Sequence, residues 1–246
     1  MKEERHQKIL DILSDGEYRS VEWLSQKLYV SMPTIRRDLA SMQDMGLVMR
    51  SHGGVIRIAD LDTPPLSFRL GVNSTDKLRL AKAARDLLCD DCVVFLDEST
   101  TTLHISDHIS SYNNIKVVTN SMSVVQNLYK YKVPTYCLGG ELSRDTMSFF
   151  GSDTDQMAEH FSIDIMFFSS SAVDRRGWIV DYSMQSNSLR RKLLSQAQTK
   201  VFLCDKSKFG KRGAFALAPV SDMDYLVLNA PLPDGMDSGK AKIIYA

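Results

Sequence analysis

The sequence predicts a two-part α/β chain, with a small N-terminal unit of three helices closed by a hairpin and a larger α/β domain on a mostly parallel sheet. Three observations carry this. Apolar residues recur at helical spacing in three short segments before residue 45, two β-prone runs flank Gly53-Gly54, and from Ser74 onward short apolar runs alternate with amphipathic segments. The 246 residues suffice for such a pair, and 43% hydrophobic with 24% charged residues is an ordinary globular composition. Formal net charge is zero, so bulk charge does not favour an acidic partner.

The first helix spans Glu3 to Leu13, with Ile9, Leu10, Ile12 and Leu13 on its apolar side, and stops at Ser14-Asp15-Gly16. Ser20 can cap the second, whose apolar side is Val21, Trp23, Leu24 and Leu28. Tyr29-Val30 turns directly into the third. There Ser31 suits the N-cap, its hydroxyl accepting from a free backbone N–H, and Pro33 suits the first turn. Ile35, Leu39 and Met42 form one stripe, Pro33, Arg37 and Ala40 point the other way, and Arg36 and Thr34 flank them. Gly46 fits the residue after the helix that needs a left-handed backbone.

Three short helices with a tight second connection match a helix-turn-helix, and the run Val48 to Arg57 matches an appended wing hairpin. Two adjacent arginines on an amphipathic helix are commonly just a solvated face. Here the helix trio and wing around them point to duplex DNA. Residues 31–57 add four arginines against two aspartates, a weak second support. Met32, Pro33, Thr34 and Arg37 are expected nearest the bases and Ser31 and Arg36 toward phosphate, while Arg50, His52 and Arg57 touch phosphate or the minor groove. The expected boundaries are a DNA-binding domain at 1–57, a Pro64-Pro65 linker at 58–75 and an α/β domain for effector sensing and oligomerisation at 76–246.

In that last part Asp76–Cys89 reads as an amphipathic helix and Cys92–Asp97 as a buried parallel strand. Strand-like runs follow at Ile115–Thr119, Pro134–Leu138, Ile163–Phe168, Lys200–Cys204 and Asp224–Leu228. Helical segments lie at Thr101–Ile109, Ser121–Tyr131, Asp153–His160 and Gln185–Gln196. Cys89 and Cys92 form a lone Cys-x-x-Cys without partners for a zinc site, so reduced thiols and no metal are expected. The polar N-terminus carries no signal core and no apolar run spans a bilayer, so the expected location is the cytoplasm, with no membrane partner.

Val30-Ser31-x-x-Thr34-Ile35-Arg36-Arg37-Asp38-Leu39, then Gly46 and Arg50-Ser51-His52-Gly53-Gly54, closely resembles the DNA-binding signature of DeoR-type bacterial transcriptional regulators. The similarity continues through Asp97-Glu98-Ser99-Thr100-Thr101-Thr102, Val118-Thr119-Asn120-Ser121, Leu138-Gly139-Gly140-Glu141-Leu142 and Asp205-Lys206-Ser207-Lys208-Phe209. The resemblance implies a winged helix-turn-helix repressor of a carbohydrate operon. Its α/β domain would sense a sugar phosphate and be similar in fold to ribose-phosphate isomerases and CoA transferases. The chain departs from the family pattern at Ser99, where Gly is usual, at Val180-Asp181 and Gln185-Ser186, and at Ser169-Ser170-Ser171. The phosphate end is thus partly retained and the sugar end rewritten.

Ligands of open α/β sheets bind beyond the carboxyl ends of the strands, where most of these fragments fall. Ser99, Thr100 and Thr101, opening a helix, and Lys208 are expected to hold the phosphate; Asp97, Asn120 and Glu141 lie near sugar hydroxyls. Gly139 and Gly140 allow close backbone approach, and Asp205 follows the fifth strand. The competing reading is a sugar-phosphate isomerase with an accessory winged helix, its acid–base groups drawn from Asp97, Glu98, Glu141 and Lys208. Nothing in their spacing fixes that chemistry, so no catalytic residue and no cofactor is assigned. One reading helix covers few base pairs, so a homodimer or homotetramer on repeated half-sites is expected.

Overall fold

The computed structural model describes residues 2–45, 47–51, 53–57 and 66–246, and the chain divides into two compact units, Met1–Ser74 and Thr75–Ala246. In the first, α1 (Lys2–Ile12) runs into a 3-10 turn, Leu13–Asp15, ended by Gly16 in the left-handed region at φ 73°. A short β1 (Arg19–Ser20) leads to α2 (Val21–Leu28), where the Ser20 hydroxyl accepts from the Trp23 amide at 3.0 Å as the sequence predicts. Then come α3 (Met32–Asp44), β2 (Val48–Ser51) and β3 (Gly54–Arg57), the strands forming an antiparallel sheet in the order β1-β3-β2. Ile9, Leu13, Val21, Leu24, Ile35, Leu39, Met42, Val48 and Val55 close one core between helices and sheet.

One expectation changes here. Residues 66–71, read from the sequence as linker, form α4 (Leu66–Gly71), whose Phe68 is buried with its ring edge-on to Tyr18, 6.2 Å between centroids. A pattern of only six residues is too short to show helical periodicity. The Pro64-Pro65 pair, Gly46 and His52 lie outside the described residues.

The second unit begins with α5 (Ser74–Ala84) and β4 (Val93–Leu96), then β5 (Lys116–Thr119), α6 (Met122–Tyr129) and β6 (Thr135–Cys137). A hairpin of β7 (Glu141–Ser143) and β8 (Ser148–Phe150) precedes α7 (Ser152–Ala158) and β9 (Ile165–Phe168). Next are β10 (Ala172–Val173), β11 (Trp178–Asp181), α8 (Met184–Gln196), β12 (Thr199–Cys204), β13 (Phe215–Pro219), β14 (Tyr225–Leu228) and β15 (Lys242–Tyr245). Seven strands make one parallel sheet in the order β15-β14-β12-β9-β4-β5-β6, while β10, β11 and β13 form a separate antiparallel sheet.

Alternate residues of the parallel strands feed opposite faces, as pleating requires. Val94, Leu96, Phe167 and Leu203 meet Leu80 and Ala84 of α5 and Val124 and Leu128 of α6. Phe95, Met166, Phe168 and Phe202 meet Leu189 and Leu193 of α8 and, from the small sheet, Ile179 and Leu217. The expected helix Thr101–Ile109 is instead two 3-10 turns, Thr102–Ile105 and Ile109–Ser111, because Ser99 and Thr102 bond to one another and to Asp97 rather than leaving the backbone to an α ladder. Cys89 and Cys92 are joined in a disulfide across the turn before β4, where reduced thiols were expected; Cys137 and Cys204 are free.

Candidate functional site

On α3 the apolar stripe faces inward and Ser31, Met32, Pro33, Arg36 and Arg37 are exposed, with Thr34 half-buried. Among the described residues neither Arg36 nor Arg37 pairs with a carboxylate. The expected Ser31 side-chain cap is not formed: its hydroxyl lies 3.0 Å from the Thr34 hydroxyl, and its carbonyl accepts from the Thr34 and Ile35 amides at 3.0 Å each. The Ser31 carbonyl thus takes the Thr34 amide that its hydroxyl was expected to cap, and the two hydroxyls pair beside that backbone turn.

Asp38 also faces inward, which sequence reasoning missed although it stands at helical spacing from Ile35 and Met42. Arg5 of α1 donates to it, Nη2 to Oδ1 at 3.1 Å, with His6 alongside, so the reading helix is tied to the first helix by charge as well as by packing. In the wing, Arg50 sits one residue from the tip, opposite Val55, and Arg57 sits at the base, opposite Val48. Both are half-buried. Of these two, Arg50 is therefore the one near the end of the hairpin.

In the second unit the strand order reverses between β4 and β9, the switch point at which open sheets bind ligands. Asp97 and Glu98 follow β4 there and Ser169 follows β9. At their centre stands the buried Arg190 of α8, which sequence reasoning missed because Arg190-Arg191-Lys192 reads as a solvated helix face. Its guanidinium donates to Asp97 Oδ2 at 3.1 Å, Glu98 Oε1 at 2.8 Å and Asp181 Oδ2 at 2.8 Å. Burial opposes the charge on Arg190, but Glu98, Asp97 and Asp181 outweigh it and raise its pKa above the ordinary guanidinium value. Burial likewise pushes Asp181 up, and the charge of Arg190 with the hydrogen bond from Ser171 brings it below the usual carboxylate range.

The expected effector residues divide into three groups. Asp97, Ser99, Asn120 and Lys208 are linked: the Ser99 amide donates to Asp97 at 3.0 Å, Asn120 Nδ2 lies 3.4 Å from Glu98, and Lys208 donates to Ser169 at 2.7 Å, whose amide donates to Asp97. Thr100 and Thr101 are buried beside them, and Thr101 Oγ1 and Asn120 Oδ1 have no hydrogen-bond partner among the described residues. Asp205 caps the 3-10 turn that carries Lys208, accepting from the Ser207 amide at 3.0 Å.

The third group is set apart. Glu141 is exposed on the β7–β8 hairpin opposite Phe150. Gly139 has open space where a side chain would begin, whereas a Cβ on Gly140, at φ +129°, would lie 2.5 Å from the Phe150 carbonyl. The protein's own hairpin therefore occupies the space beside Gly140. Among the described residues no group of His, Cys, Asp and Glu has the arrangement of a metal site, and no helix is long and apolar enough to cross a membrane.

Residues 5–60 match the DeoR-like helix-turn-helix domain and residues 72–230 the DeoR C terminal sensor domain. The chain is 31% identical to the L-fucose operon activator of Haemophilus influenzae, over 94% of each. It is 29% identical to the HTH-type transcriptional regulator GlpR of Haloferax volcanii, over 93% of this chain and 90% of that one. With the glycerol-3-phosphate regulon repressor of Escherichia coli it shares 25% identity, over 94% and 92%. Among solved structures, ribose 5-phosphate isomerase A from Methanocaldococcus jannaschii aligns with 56% of this chain and 55% of its own at a TM-score of 0.41 and 18% identity.

Proposed function

This chain belongs to the DeoR family of transcriptional regulators, and from that premise we propose that it represses a carbohydrate-utilisation operon under control of a phosphorylated sugar. The observation that carries the DNA half is the outward face of α3: two arginines unpaired among the described residues, beside exposed Met32 and Pro33, on a helix whose other side is fully packed. Arg37, with Met32, Pro33 and Thr34, reads base edges, Ser31 and Arg36 meet phosphate, and Arg50 with His52 adds backbone contacts from the wing, while Arg57 at the base of the hairpin stands back from them. A homodimer or homotetramer places two such helices on repeated half-sites in the cytoplasm.

The effector half rests on the unsatisfied Thr101 Oγ1 and Asn120 Oδ1, buried polar atoms at the switch point that call for a partner. Lys208 supplies the cation for a phosphate and Asn120 the carbonyl for a sugar hydroxyl, with Asp97 behind them holding Ser99 and Arg190 in place. Relatives named for a glycerol-3-phosphate regulon and a fucose operon support a phosphorylated carbon source as the ligand class. The isomerase alternative is disfavoured by geometry, because of its four candidate groups Arg190 engages Asp97 and Glu98, Lys208 donates to Ser169, and Glu141 stands apart on the β7–β8 hairpin.

Anisotropy titration of duplexes bearing the chain's own upstream region tests the reading. Arg37→Ala is expected to relax discrimination by about 1–3 kcal/mol at one base pair, and Arg50→Ala to weaken all sequences alike. Sugar phosphates are expected to change operator affinity in the wild type and not in Thr101→Val. Identical sequence profiles for the two arginine variants, or an unchanged effector response in Thr101→Val, would refute the assignment.

A further inference from the structure

We propose that the exposed end of α2 and the turn after it, through Trp23, Lys27 and Tyr29, grips a backbone phosphate of the duplex that α3 reads. The inference rests on the DNA-binding reading above and adds a contact surface outside α3 and the wing.

Tyr29 is 96% exposed, more than any other large apolar side chain described. It also sits in the left-handed region at φ 54°, ψ 42°, where a bulky residue is disfavoured and Gly or Asn is ordinary. The side chain does nothing for the turn itself. Backbone bonds close it, from the Tyr29 amide to the Gln26 carbonyl at 3.4 Å and from the Val30 amide to the Ser25 carbonyl at 3.1 Å, with the Ser25 hydroxyl donating to the Val30 carbonyl at 2.6 Å. A tyrosine held in water, at a position its own backbone resists, has no role within the described fold. Such outliers point to function.

The surroundings say what it meets. Trp23, Gln26, Lys27 and Tyr29 line an open cleft of about 360 Å³. Each brings a hydrogen-bond donor (indole N–H, amide, ammonium and phenol) and none brings a carboxylate. Among the described residues Lys27 pairs with no acid, while the nearby Arg19, stacked 5.0 Å over Trp23, is already paired with Asp15. A lining of donors with one uncommitted cation fits an anion. Tyr29 stands two residues before Ser31, where α3 opens, and the first helix of such a pair crosses the DNA backbone. A phosphodiester is the anion in reach.

The test measures anisotropy of the full chain on its own upstream duplex and on an unrelated duplex, across a salt series, with light scattering and melting of each protein. Tyr29→Gly is expected to melt no lower than wild type yet bind both duplexes more weakly, by about 3- to 10-fold. Lys27→Ala is expected to reduce the slope of log affinity against log salt by about 1. Wild-type affinity and slope in both variants would overturn the proposal while leaving α3 as the reader. So would weakening accompanied by a changed oligomeric mass, which would place Tyr29 against another copy of the chain. A wild-type chain that binds neither duplex would remove the α3 reading and this one together.

Discussion

Asp38 carries a charge on the side of α3 that otherwise buries Ile35, Leu39 and Met42. Burial alone would raise its pKa; the hydrogen bond and charge of Arg5, with His6 behind, reverse this and hold the carboxyl below its ordinary value. A depressed acid stabilises the fold above its unfolded pKa of about 3.9 and loses that contribution as pH falls through the folded value. Arg5→Met removes the cation while leaving the carboxylate buried, so the first unit is expected to lose about 1–3 kcal/mol at pH 7. The gap to wild type should narrow below about pH 4, as Asp38 protonates in both proteins. Urea melts at pH 7 and pH 3 check this, and a gap constant with pH would remove the ion pair from the account. Nothing in the local sequence announced the pair, since Arg5 and Asp38 belong to different helices. Arg190 was hidden for the same reason, its partners Asp97 and Glu98 lying far back along the chain.

Among the elements, those that bury their own periodic stripe were legible: α3 through Ile35, Leu39 and Met42, and the parallel strands through unbroken apolar runs such as Val93–Leu96. The small sheet of β10, β11 and β13 was not. Its strands are two to five residues long, and β11 finds β13 only across the whole of α8. The hairpin β2–β3 was foreseen from Gly53-Gly54, but the reason for the second glycine is tertiary. Gly54 pairs with Ser20 of β1 and Ser51 of β2, and a Cβ there would strike the Tyr18 ring and lie 2.6 Å from the Arg19 carbonyl. Gly54→Ala must therefore push β1 away from β3 and is expected to cost about 1–3 kcal/mol. Loss of operator binding should follow the lowered midpoint of unfolding. An alanine variant with wild-type stability would mean that β1 moves aside freely.

For the whole molecule, each compact unit has its own apolar core, and each holds one of the two tryptophans, Trp23 in the first and Trp178 in the second. That division makes the energetics of the two functions separable by fluorescence. With Trp178→Phe as background, Trp23 reports the DNA-binding unit; with Trp23→Phe, Trp178 reports the sensor. Arg190→Met leaves three buried carboxylates without their cation, a loss of about 3–5 kcal/mol, and is expected to lower the Trp178 transition by on the order of 10 °C. The Trp23 transition should stay where it was, since residues in separate cores contribute additively. A sugar phosphate at about 100 times its Kd would add about 2.7 kcal/mol to the Trp178 transition in wild-type Arg190 protein. If both tryptophans shift together in Arg190→Met, the units melt as one cooperative body and the sensor's ionic cluster also underwrites the stability of α3.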